Sequence, residues 1–222
     1  MHKLTIPFLL TLSLFTATCG RSVGSADPSP EETLALMRAD TAWIRELDSL
    51  AAEAIGPGAR CLDPVWHLFE WEGRGWLFNQ DWGGVLEIPS GYIPEDDPWQ
   101  AELSFHGTRA FSPDSAVIVS FYAGFQGIGN DELILSATER LREEGFTVSS
   151  IEIGKEGFRV TARSVDGIVY FARYLFADGD GVEYAASVQY PEGKEAEADR
   201  IIPMLERFPL GPDGRRFRGL AL

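Results

Sequence analysis

Catalysis and metal binding need clustered imidazoles, thiols or carboxylates, and this 222-residue chain holds three histidines and two cysteines in all. His67, Glu70 and Glu72 are the right residue types for an ion. On a strand, however, His67 and Glu70 point to opposite faces while Glu70 and Glu72 share one, so no site is read there. The run Asp178-Gly179-Asp180-Gly181-Val182-Glu183 has the composition of a calcium loop. It lacks the spaced oxygen ligands and the distal bidentate glutamate of an EF-hand, and reads as a hairpin turn. Gly124, Gly127 and Gly129 precede a helical pattern, but their spacing fits neither a dinucleotide fingerprint nor a P-loop and no lysine follows. They read as a strand-to-helix turn. No Gly-x-Ser-x-Gly elbow occurs, and Cys61 has no histidine and acid arranged around it, so it reads as a core or loop thiol. Neither catalytic residue, metal nor cofactor is assigned.

Cys19 is the one residue whose neighbourhood specifies a covalent reaction. Lys3 supplies a short positive segment, and Leu4 to Phe15 form an apolar stretch too short to span a bilayer, the layout of a signal peptide. It ends in Phe15-Thr16-Ala17-Thr18-Cys19-Gly20, which resembles a bacterial lipobox, although threonine stands where those motifs usually carry leucine and a small residue. The resemblance implies that Cys19 is acylated and becomes the mature N-terminus. Two competing readings stay open: a secreted protein cut after Ala26, with Gly24 and Ala26 as the small residues, or a Cys19–Cys61 disulfide, which would exclude lipidation. Residues 20–30 are Gly-, Ser- and Pro-rich, suited to a tether. The expected address is therefore the bacterial cell envelope, with the domain in the periplasm or at the cell surface.

A formal net charge of −15 leaves no basic field to recruit polyanions, which argues against nucleic acid and confines membrane contact to the lipid anchor. Arg215, Arg216 and Arg218 read as a solvated tail. The loop from Tyr92 to Trp99 combines aromatic and acidic side chains between prolines. Tyr92, Asp96, Asp97 and Trp99 are thus the candidate contacts for a protein partner, unless Trp99 tucks into the core.

The positioning elements follow from periodicity. Residues 1–18 are the signal peptide, 19–29 the tether, and 30–58 an N-terminal helix with an apolar stripe at Leu36, Trp43, Leu47, Leu50 and Ala54, stopped by Gly56-Pro57-Gly58. Residues 59–210 alternate as strands near 65–71, 76–78, 85–89, 101–107, 116–123, 147–153, 157–164, 168–176 and 183–190. One helix is expected from an Asn130 cap to about Glu144, another from about Gly193 to Phe208, and 211–222 form a tail. Short connections force antiparallel pairing, so the fold class is α+β: an antiparallel sheet of about six or seven strands with helices packed on it, preceded by an N-terminal helix.

Residues 77–209 resemble the fold shared by PsbP, the extrinsic photosystem protein, and a Ran-binding nuclear import factor. The resemblance is carried by Phe78-Asn79 leading into Gly84-Val85-Leu86-Glu87-Ile88-Pro89 and by Arg109-Ala110-Phe111-Ser112-Pro113-Asp114. Gly157-Phe158-Arg159-Val160, Asp166-Gly167 before Val169-Tyr170-Phe171, Tyr190-Pro191 and Leu205-Glu206-Arg207-Phe208-Pro209 complete it. It implies a binding or assembly factor. The function expected is a non-enzymatic envelope-anchored factor; the alternative is a carboxylate-dependent hydrolase or small-ligand enzyme, which would need buried acids of raised pKa facing one concavity.

Overall fold

The computed structural model describes residues 58–61, 66–95, 99–100, 105–179, 181–212 and 214–216, with Arg45, Ser49, Ala52 and Glu53. All of these lie in the second of the chain's two units, Ala39–Leu222. The expected N-terminal helix falls almost wholly outside them.

Two antiparallel sheets replace the single sheet expected. The first is a four-stranded meander in sequence order: β1 (Arg60–Cys61), β2 (Trp66–Trp71), β3 (Arg74–Asn79) and β4 (Val85–Ile88). Glu72 and Gly73 join β2 to β3 with φ of 52° and 73°, the doubly left-handed turn whose twist matches that of a hairpin. The second comprises β5 (Ile93–Pro94), β6 (Trp99–Gln100), β7 (Phe105–Phe111), β8 (Ile118–Phe125), β9 (Phe146–Ile153), β10 (Gly157–Ser164), β11 (Ile168–Leu175) and β12 (Val182–Pro191). Its order is β5-β7-β8-β12-β11-β10-β9, with β6 beside β7. Two helices complete the described residues, α1 (Asn130–Glu143) and α2 (Glu195–Arg207).

Strand alternation sorts side chains into layers. Val119, Phe121 and Ala123 of β8, with Tyr184 and Val188 of β12, face α2 and the small sheet, where they meet Trp66, Leu77, Leu86, Leu205 and Phe208. Trp66 and Phe208 both approach the Phe121 ring edge-on, each with centroids 4.6 Å apart. On the other face, Leu133, Ala137 and Leu141 of α1 pack on Phe158, Val160, Tyr170, Ala172 and Tyr174. A third cluster, Phe69, Trp76, Phe78 and Val85, lies on the far side of the small sheet. The buried Glu87 carboxylate ties that sheet to α2, pairing with Arg74 and Arg207.

Two boundaries and one side chain differ from the sequence reading. β7 runs 105–111, continuing past the expected end at Gly107 through Arg109-Ala110-Phe111. Gly129, in extended conformation, is the N-cap of α1 and Asn130 its first residue. The Asn130 Oδ1 instead accepts a bond from Gln126, whose Oε1 accepts from the Ala177 amide. Arg216 is docked, not a solvated tail residue: it pairs with Asp178, donates to the Tyr184 hydroxyl at 3.0 Å and lies over that ring.

Candidate polar cavity beside α1

α1 packs over β9 and β10, and beside its C-terminal end a cavity of about 460 Å³ opens over β8, β11 and β12. Its floor is set by register. Ser120 of β8 lies opposite Arg109 of β7 on one side and Ser187 of β12 on the other, giving a polar row across three strands. In the next row Tyr122, Ala185, Tyr174 and Phe158 stand side by side on β8, β12, β11 and β10. Tyr170 and Gln189 are likewise paired. Arg140 and Glu144 close the cavity from the helix.

The tyrosines form a connected cluster. Tyr174 stacks on Phe158 with centroids 4.5 Å apart, and its hydroxyl lies 3.3 Å from that of Tyr170. Arg140 keeps solvent access through the opening, yet its guanidinium sits against this cluster and donates to the Tyr174 hydroxyl at 3.1 Å. Burial, above all, pushes the Tyr122 and Tyr170 hydroxyls far above the ordinary phenol range. They are therefore neutral hydrogen-bond donors or acceptors at physiological pH and cannot serve as bases.

Glu183, 5% exposed, lies on the same face of β12 as Ala185 and Ser187. Burial raises its carboxyl to about 7, against the opposing influence of a hydrogen bond from Tyr122 and of the Arg140 charge. Its Oε2 accepts no hydrogen bond among the described residues. A carboxyl in this state is half protonated near neutrality. Chemically, the cavity offers two guanidiniums, tyrosine and serine hydroxyls and an amide to a ligand rich in acceptors, together with the Glu144 carboxylate, while Glu183 lies outside its lining and reaches it through Tyr122 and Arg140.

A second concavity of about 480 Å³ lies between the β11–β12 end and the C-terminus of α2. Two of its arginines serve the fold. Arg173 donates to the carbonyls of Leu205, Glu206 and Phe208, capping α2, and Arg216 is held as described. Burial lowers the Arg173 pKa from its ordinary value.

Of the sequence candidates with described side chains, none is brought to either place. Tyr92 is buried in the core, its hydroxyl donating to Glu197 Oε1 at 2.7 Å. Burial and then that bond raise its pKa well above the usual phenol value. Trp99 enters β6, its backbone paired with Gly107, while Cys19, Asp96 and Asp97 lie outside the described residues. His67 is fully buried with Nε2 2.6 Å from Gln80 Oε1, whereas Glu70 and Glu72 are exposed. Among the described residues no three His, Cys, Asp or Glu side chains are grouped to hold a metal ion. Asp178 turns the β11–β12 connection, its carbonyl accepting from Gly181 at 3.0 Å.

No family model matches the chain, and no curated protein matches it. The residues that sequence reasoning missed, Tyr122, Arg140, Tyr170 and Glu183, are far apart along the chain. The available signal was polar residues at every second position of otherwise apolar strands: Ser120 and Tyr122, then Glu183, Ser187 and Gln189.

Proposed function

We propose that this chain is a non-enzymatic binding factor of the bacterial cell envelope, held to a membrane by acyl chains on Cys19, whose folded domain takes a small, acceptor-rich ligand in the cavity beside α1. The observation that carries the reading is the Arg140 guanidinium set on buried tyrosine hydroxyls at the wall of a 460 Å³ opening. Donors held in place by packing cost little further ordering on binding, which is what a recognition site requires. The signal-peptide-like N-terminus and the resemblance to PsbP-like binding and assembly factors support it. A protein partner at the loop of Asp96, Asp97 and Trp99 remains part of the proposal, whereas Tyr92 is committed to the core.

The test is an NMR titration of isotope-labelled Cys19→Ser protein with a small-molecule extract of bacterial envelopes, then with succinate and glucose as defined probes. Saturable shifts at Ser120, Tyr122, Arg140 and Ser187, weakened by Arg140→Gln, support the site. Shifts absent there with every addition overturn it. A carboxylate-dependent enzyme is the second reading, favoured by Glu183 alone. It requires Glu183→Gln to abolish turnover of whatever ligand the titration identifies, whereas the binding reading leaves that ligand unconverted by either protein.

A further inference from the structure

We propose that β9 is a dimerisation edge, pairing antiparallel with β9 of a second copy of this chain. Phe146–Ile153 ends the large sheet, and its outer edge pairs with no strand among the described residues. It is eight residues long, exposed at Thr147 and from Ser149 to Ile153, and contains neither proline nor lysine. Long edges normally carry such residues because unpaired amides and carbonyls invite a further strand. The opposite edge has the protection: β5 and β6 are two residues each, and Pro94 removes a donor.

The strand is built to match itself. Phe146 and Val148 oppose Ser164 and Ala162, but a register shift places Ile151 and Ile153 opposite Val160 and Phe158. All four apolar side chains therefore share the face on which α1 packs, with Thr147, Ser150 and Glu152 on the other. A twofold axis between Ser149 and Ser150 then sets Phe146 against Ile153 and Val148 against Ile151, each pair on one face. A regular strand could not do this, since positions seven or three apart fall on opposite faces. Pairing would also cover Ile151 and Ile153, 39% and 66% exposed in the single chain.

Charge agrees with this orientation. Glu143 and Glu144 precede β9 and Lys155 follows it. Antiparallel pairing brings Glu143 and Glu144 of each copy toward Lys155 of the other, with Arg142 beside the acids and Glu156 beside the lysine.

The test is sedimentation equilibrium of full-length Cys19→Ser protein across the micromolar range, with hydrogen exchange of the β9 amides. Wild-type β9 should yield the mass of two chains at high concentration and slower β9 exchange as the dimer fills. Ile151→Lys and Ile153→Lys, each at an exposed site, should keep the melting temperature while weakening association about tenfold or more, because each places a charge opposite an apolar side chain. Ile93→Lys, on the other edge, should dimerise normally. A monomer at every concentration overturns the proposal, as does a dimer unaffected by Ile153→Lys or one lost in Ile93→Lys.

Discussion

Glu183 is where burial and function are most at odds. A carboxyl raised to about 7 binds a proton in the folded protein over a pH range in which the unfolded chain, titrating near 4.5, has released it. Its unfavourable contribution is therefore absent below about pH 4.5 and complete above about pH 7, where it amounts to about 2–3 kcal/mol once solvent screening is allowed for. Glu183→Gln, which can still accept from Tyr122, should stabilise the protein at pH 8 and converge with wild type at pH 5. Denaturant unfolding at the two values checks this, and equal effects at both would mean that the carboxyl is not desolvated. Arg140→Gln should raise the Glu183 pKa further by removing a favourable charge, readable by carboxyl-carbon NMR. Tyr92→Phe should cost about 1 kcal/mol, the worth of one hydrogen bond to Glu197, by the same unfolding measurement.

At the scale of elements, two residues decide how β11 meets its neighbours. Gly157 starts β10 so close to β11 that a Cβ there would lie 1.9 Å from the Tyr174 carbonyl oxygen. Gly157→Ala must push the hairpin apart and should cost about 3 kcal/mol, against well under 1 kcal/mol for Gly127→Ala in open space. Arg173→Met should cost about 2 kcal/mol by uncapping α2, measured as a lower urea midpoint. The hairpins of β9 to β12 and both helices were legible because their turns and periodicity are local: Asp166-Gly167 sits where Arg163 pairs Val169, and Gly145 follows α1. The division into two sheets was not legible. Val85 to Ile88 reads the same whether it continues one sheet or closes a separate meander, since nothing in Leu86 specifies that it meets β3 rather than β8. The cavity was hidden for the same reason: Ser120 faces Arg109 and Ser187 only once β8 is inserted between β7 and β12, and Ser187 lies 67 residues after Ser120 in the chain.

At the scale of the whole molecule, the proposed anchor attaches a strongly acidic chain to a membrane through Cys19. The formal charge of −15 gives the chain no attraction for anionic headgroups, so the proposed anchoring requires that membrane affinity come from acyl chains at about 0.8 kcal/mol per buried methylene. Cys19→Ser should accordingly move the protein from the membrane to the soluble fraction or leave the signal uncut, while Cys61→Ser leaves its location unchanged. Fractionation followed by immunoblotting reads both. The central claim, an anchored domain that holds a ligand beside α1, is tested most directly by native intact-mass measurement of protein isolated from bacterial membranes. The account predicts a chain beginning at acylated Cys19 and carrying a small-molecule adduct that denaturation releases and Arg140→Gln diminishes. An unmodified chain beginning at Asp27, with no adduct in wild type or variant, would contradict it.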